Sequence, residues 1–304
     1  MHVPEIVLPN PTESPETAGS TRRIAFVDSG LGLLGYADAL HALRPDLGLV
    51  LSLDPDNMPY GPRTPDEVQR LILASARATL PYEPAAIVVA CNTASVHGLG
   101  VLRAELEPDV PVIGTVPAIR PAAASGGPVA IWSTAATTSS DYLRGLVDAF
   151  AADVETYPVA ALGLAEAIES GDRAGIDACI AYAVSRTPEG VRSLVLGCTH
   201  YGLVVDRIVA ALGREVTIHD SPVAVARQTL RRIGLEPHPT APEGGVEAVL
   251  LSGRAGTLPT SWGSYPAGRR LLAAPPTVRP AGTSRRNGAR NREAGVVPAA
   301  RPQP

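Results

Sequence analysis

Two stretches of the chain place a thiol where chemistry can use it. Ala86-Ile87-Val88-Val89-Ala90 is an apolar run that leads into Cys91-Asn92-Thr93, and Ser193-Leu194-Val195-Leu196-Gly197 leads into Cys198-Thr199-His200-Tyr201. Each reads as a buried parallel strand whose C-terminal end opens into polar residues. Ligands bind at that end of the strands in open α/β sheets. A thiol there is an acid and its thiolate a base. Both cysteines stand just before expected helices, whose dipole and free N–H groups stabilise a thiolate. A cysteine taken alone reads as a small buried hydrophobe. The chemical reading rests on the pair, each followed by a threonine within two residues. The third cysteine, Cys179, falls in an expected helix and reads as packing.

The elements that must hold these thiols follow from the pattern. Strands are expected at 23–27, 49–53, 86–90 and 110–116, with helices over 34–43, from 65 onward, and over 93–106. Asp28-Ser29-Gly30 ends the first strand, and Pro59-Tyr60-Gly61 follows the second. Thr64-Pro65-Asp66-Glu67 carries three helix-start signals: a threonine cap, proline at the first helical position and glutamate three residues after the cap. A second series has strands at 129–132, 154–157, 194–196 and 216–219, with helices over 141–150, 165–170 and 203–212. Its first strand ends in the hydroxyl-rich loop Ser133-Thr134-Ala135-Ala136-Thr137. A helix over 222–233 returns to the first domain, and 246–251 is the last strand.

This alternation predicts an α/β fold of two doubly wound α/β domains related by pseudo-symmetry, with the active site in the cleft between them. The expected boundaries are 1–21, a disordered extension; 22–117 plus 223–265, the first domain; 118–222, the second; and 266–304, a disordered basic tail. Gly30, Gly32 and Gly35 spell a G-x-G-x-x-G spacing, so a phosphate-cradling loop is the rival reading of the first turn. Asp28-Ser29 before it, and the lack of an acidic ribose ligand at the right distance, argue against that rival.

Composition narrows the chemistry further. All 26 basic residues are arginine, so Schiff-base lysine chemistry, including covalently held pyridoxal phosphate, is excluded. Three cysteines make no disulfide framework, and no Cys/His spacing suits a metal. No cofactor and no metal are expected. The N-terminus lacks signal-peptide features, and no apolar run is long enough to span a bilayer. The expected location is cytoplasmic. Residues 266–304 hold eight arginines against one glutamate, so the remaining chain is more acidic than the net charge of −4 suggests. An acidic body with a basic tail does not suggest a nucleic-acid enzyme.

The motifs Ala90-Cys91-Asn92-Thr93-Ala94-Ser95 and Gly197-Cys198-Thr199-His200-Tyr201 resemble the paired cysteine motifs of the glutamate racemases, in the aspartate/glutamate racemase superfamily. Asp28-Ser29-Gly30, Pro59-Tyr60-Gly61, Val112-Ile113-Gly114 and Asp220-Ser221 fall in the matching order, so the resemblance covers about residues 22–253. It implies cofactor-independent interconversion of L- and D-glutamate by a two-cysteine, two-base proton transfer, for peptidoglycan precursor synthesis. Racemisation needs proton transfer on both faces of the α-carbon, and one base cannot reach both. The resemblance implies that Asp28 assists Cys91, and that His200, with Glu169 as the nearest match to a family glutamate, assists Cys198. By the same resemblance the substrate is held by Asp28, Ser29, Tyr60, Gly61, Asn92, Thr93, Thr134, Thr137, Thr199 and His200. The expected partner is a small-molecule amino-acid substrate, with no nucleic acid and no membrane; a homodimer is an open expectation. The alternatives are a racemase of another acidic amino acid such as aspartate, or a non-catalytic ligand-binding relative.

Overall fold

The computed structural model describes residues 22–273. The expected extension over 1–21 and the tail beyond residue 273 lie outside the described residues. The described residues form two separate β-sheets. The first half runs β1 (Arg23–Asp28), α1 (Leu33–Leu43), β2 (Gly48–Leu53), α2 (Pro65–Thr79), β3 (Ala86–Val89), α3 (Asn92–Leu106), β4 (Val112–Gly114) and α4 (Ile119–Ala124). The second runs β5 (Val129–Ser133), α5 (Ala135–Thr138), α6 (Asp141–Phe150), β6 (Thr156–Ala160), α7 (Leu164–Ser170), α8 (Arg173–Ser185) and β7 (Ser193–Leu196). A 3-10 turn (Thr199–Val204), α9 (Val205–Leu212) and β8 (Thr217–His219) complete it. The chain then continues through α10 (Pro222–Arg232), β9 (Val246–Leu251), β10 (Arg254–Ala255), a 3-10 turn (Thr260–Ser264) and α11 (Pro266–Ala273).

The strand order is β10-β9-β2-β1-β3-β4 in one sheet and β6-β5-β7-β8 in the other. Apart from β10, every pairing is parallel. Taken in chain order, β1–β4 and β5–β8 each form the same spatial series: second, first, third, fourth. The two halves therefore repeat one topology. In each, the chain reverses its winding direction between the first and third strands, which is the crevice where doubly wound sheets bind ligands. Cys91 follows β3 and Cys198 follows β7, the same strand of the two repeats.

Helices cover both faces of each sheet, and this explains the continuous apolar runs. Ile24 and Phe26 of β1 face the core shared with α1, while Ala25 and Val27 face the core shared with α2 and α3. In the second sheet Val129 and Ile131 pack with α4 and α6, while Ala130 and Trp132 join the core that contains α7, α8 and α9 residues. At Thr64 the expected signals form a complete capping box with Glu67, and Pro65 opens α2.

Four expectations shift. The strand expected at 154–157 is β6, displaced toward the C-terminus, and Pro158 lies inside it. Proline is tolerated there because β6 is the sheet edge. The strand expected at 110–116 shortens to Val112–Gly114. The helix expected from residue 203 begins only at Val205, after the 3-10 turn.

The tail is the fourth correction: order does not end at Tyr265. Pro266–Ala273 is helical, with Ala267 and Leu271 buried four residues apart on one face. α11 packs on α1, and Arg270 Nε donates to Asp38 Oδ1 at 2.8 Å. Gly268 makes this possible. A Cβ there would lie 2.2 Å from the Trp262 carbonyl oxygen. Tertiary contact orders a segment whose composition gives little sign of it. Among the described residues, no helix is long and apolar enough to cross a membrane.

Candidate active site

The two thiols meet across one cleft. Asp28, Ser29, Tyr60, Gly61, Cys91, Asn92 and Thr93 line it from the first sheet's loops. Thr134, Thr137, Cys198, Thr199 and His200 line it from the second. The cleft is narrow, about 40 Å3, and opens beside a wider recess of about 230 Å3 that shares Gly61, Asn92, Thr93 and Thr137 with it.

Local backbone sets both thiols alike. Cys91 is the N-cap of α3 with φ −134° and ψ 121°, and Cys198 is the N-cap of the 3-10 turn with φ −133° and ψ 136°. In both cases an extended residue turns directly into a helical segment, so each sulfur stands at a helical start, where backbone N–H groups lack intrahelical acceptors. Asn92 ties the halves together. Its Nδ2 donates to the Gly197 carbonyl at 2.9 Å, while its Oδ1 accepts from Thr115 Oγ1 at 3.0 Å. Thr115 has this role without any motif in the sequence to mark it.

Each thiol has its own titratable neighbour. Asp28 is fully buried beside Cys91; burial pushes its carboxyl up from the ordinary 3.8 to about 6, and nearby His200 and Cys91 offset part of the rise. Ser29 N–H and Thr199 Oγ1 donate to the two Asp28 oxygens, at 2.6 and 3.2 Å. Burial and the Asp28 charge hold the Cys91 thiol well above its ordinary range, against the Ala94 N–H, which favours the thiolate.

On the other side, His200 Nδ1 lies 3.8 Å from Cys198 Sγ, and its Nε2 is 2.9 Å from Glu169 Oε2. Burial opposes charge on His200, but Cys198 and Glu169 outweigh it and hold the imidazole well above its ordinary range. Glu169 accepts a further hydrogen bond from Leu31 N–H at 2.8 Å, across to the first half. It stands behind His200 and is not among the residues lining the cleft. Among the described residues no group of three or more His, Cys, Asp or Glu could hold a metal.

Two expected donors have prior partners. The buried Tyr60 hydroxyl donates to Asp54 Oδ2 at 2.8 Å, so that donor is already engaged. Thr134 caps α5 through the Thr137 N–H, and the two hydroxyls bond each other at 3.0 Å.

The glycine loop serves the opposite half of the chain. A Cβ at Gly30 would lie 2.4 Å from Glu169 Oε2 and 3.0 Å from His200 Nε2; one at Gly32 would lie 2.1 Å from Thr199 Oγ1 and 2.6 Å from Asp28 Oδ2. The space a phosphate would need is filled by the side chains of Glu169, His200, Thr199 and Asp28. Gly32 has φ −56°, which any residue adopts, so its requirement is purely steric. Gly32→Ala is therefore expected to push Thr199 off Asp28. Turnover should fall at least tenfold while stability drops by about 1–3 kcal/mol, the usual penalty for overpacking. Steady-state kinetics and a thermal melt on the one variant check both.

A family model described as Asp/Glu/Hydantoin racemase matches residues 35–229. The chain is 35% identical over 216 residues to a glutamate racemase of Pseudomonas entomophila, covering 69% of this chain and 81% of that one. It is 34% identical over 231 residues to a glutamate racemase of Herpetosiphon aurantiacus, covering 74% and 90%. Among solved structures it is similar to Escherichia coli glutamate racemase in complex with L-glutamate and the activator UDP-MurNAc-Ala. There the TM-score is 0.67 at 30% identity, covering 72% of this chain and 85% of that one. With the repeated α/β topology and the cleft between the repeats, these likenesses show that the chain belongs to the Asp/Glu/hydantoin racemase family and is an isomerase.

Proposed function

We propose that the protein interconverts L- and D-glutamate by two-base proton transfer between Cys91 and Cys198, without a cofactor, and supplies D-glutamate for peptidoglycan precursors. The observation that carries this reading is the convergence of two thiols, from equivalent positions of two repeats, on one cleft. Their carrying strands belong to opposite sheets, so they approach a bound α-carbon from opposite walls.

The steps balance without an external reactant. One cysteine, as thiolate, takes the α-proton, and the electron pair of the C–H bond moves into the α-carboxylate as an enolate-like charge. The other, as thiol, donates its proton to the opposite face and becomes the thiolate. The enzyme is then poised for the reverse reaction. Free N–H groups at the start of α3 and of the 3-10 turn after Cys198 hold the substrate carboxylates and stabilise the charge that develops. Asp28 accepts the Cys91 proton when the thiolate must be formed there. A carboxyl near 6 is matched to that task at neutral pH. His200, charged and backed by Glu169, stabilises the Cys198 thiolate.

Chiral analysis in heavy water tests the substrate directly. Incubation with L-glutamate in heavy water, followed by chiral separation, is expected to give D-glutamate carrying deuterium at the α-carbon. L-aspartate run in parallel should invert far more slowly. Inversion of aspartate alone would reassign the substrate, and no exchange with either would remove the racemase reading.

A further inference from the structure

The C-terminal segment lies against both halves of the chain. Trp262, in its 3-10 turn, is fully buried, Leu271 of α11 is buried, and Arg270 pairs with Asp38 of α1. α1 is the helix that follows Asp28 and the Gly30 loop. Between these anchors stands Tyr265, 4% exposed, whose hydroxyl donates to the Ile168 carbonyl in the last turn of α7. The next residue is Glu169.

We propose that Tyr265 is a positioning residue for the Cys198 side of the site, acting through the end of α7 on Glu169 and His200. The proposal rests on the two-thiol reading above. α7 has only seven residues and ends at Gly171 in the left-handed conformation (φ 71°), and a helix so short does not hold its own geometry. Its last turn has to be fastened from outside. The Ile168 carbonyl accepts from the Gly171 N–H at 3.1 Å and from the Tyr265 hydroxyl. One residue on, a single carboxylate oxygen, Glu169 Oε2, takes both the Leu31 N–H at 2.8 Å and His200 Nε2 at 2.9 Å. That three-way contact crosses between the halves of the chain and leaves no slack. A Cβ on Gly30 would already collide with the same oxygen. Tyr265 is absent from the residues lining the cleft, so its influence passes through backbone rather than substrate. Releasing the end of α7 by a few tenths of an ångström loosens the His200 contact and with it the support of Cys198. Cys91, held by β3, α3 and Asp28, is reached only indirectly, through the Asp28–Thr199 contact.

The test places Tyr265→Phe, which keeps the ring and removes only the hydroxyl, in two single-thiol backgrounds. Cys91→Ala leaves Cys198 as the only base, and Cys198→Ala leaves Cys91. Exchange of the glutamate α-proton in heavy water is followed by NMR, with a thermal melt of each protein. The expected result is a loss of about tenfold where Cys198 works alone and less than twofold where Cys91 works alone. In the intact two-thiol protein, kcat falls while KM stays within about twofold. Equal losses in both backgrounds, or a lowered melt with no change in either rate, would make Tyr265 merely structural and overturn the proposal. A rise in KM at unchanged kcat would overturn it too. If neither single-thiol protein exchanges the α-proton before Tyr265 is altered, the two-thiol reading fails and takes the proposal with it.

Discussion

Replacing Cys91 with alanine is expected to abolish inversion yet leave α-proton exchange for one enantiomer, and replacing Cys198 to leave exchange for the other. A single remaining thiolate can still remove the proton that faces it. Once the new thiol trades its proton with solvent, it returns a deuteron to the same face. Configuration is then retained while the α-proton signal disappears. Positioned acid–base groups contribute on the order of 10²–10⁴-fold each, so inversion should fall at least that far in either variant. The fold should survive both changes. Cys91 caps α3 and Cys198 caps the 3-10 turn without using their side chains as caps, and alanine leaves only a small cavity. The measurement is chiral chromatography beside NMR exchange, starting from each enantiomer separately. Either variant retaining near-normal inversion would sink the two-base mechanism. Exchange of the same enantiomer by both variants would place the thiols on one face and contradict the geometry of the two sheets.

Much of this site can be read from the residues themselves, for a physical reason. β3 and β7 are buried on both faces, so Ala86–Val89 and Leu194–Leu196 are apolar runs, and the first polar residues after them mark the cleft. Asp28 is legible for the same reason at the end of β1. The Asp28–Thr199 and Glu169–Leu31 contacts are not, because they join residues far apart in sequence on different halves. Gly30 and Gly32 carry a spacing shared with nucleotide loops; only the packed structure separates a glycine that admits a phosphate from one that admits Glu169 or Thr199. Thr115 sits past a short strand and carries no pattern, yet it orients Asn92. α11 is hidden by composition. Its Pro, Gly and Arg content resembles the residues that follow it, and it is ordered by Trp262, Asp38 and α1 rather than by its own propensity.

Exchanging Asp28 for asparagine should cost activity and raise stability at once, a combination that separates a working carboxylate from a structural one. Asp28 is fully buried, and its carboxyl sits near 6 against an ordinary 3.8, with burial the largest cause. Because the folded value is the higher one, the fold holds the proton more tightly than the unfolded chain. The associated stability is complete below about pH 3.8, declines as the pH rises, and is lost above about 6. Around pH 8 the protein therefore carries a buried charge that costs about 3 kcal/mol. Asparagine removes the charge and keeps the shape. Its oxygen still accepts the Ser29 N–H, and its amide can donate to Thr199 Oγ1, since a hydroxyl serves as donor or acceptor. Asp28→Asn should thus melt higher than the parent at pH 8, by up to that amount, with the advantage shrinking toward pH 4. Turnover should fall on the order of 10²-fold or more, because nothing remains beside Cys91 to take its proton. In the parent, kcat/KM should decline as the pH drops through about 6, where Asp28 becomes protonated, and that limb should vanish in the variant. A variant less stable at pH 8 than the parent would show that the carboxylate's hydrogen bonds outweigh its desolvation. Unchanged turnover would remove Asp28 from the proton path of Cys91.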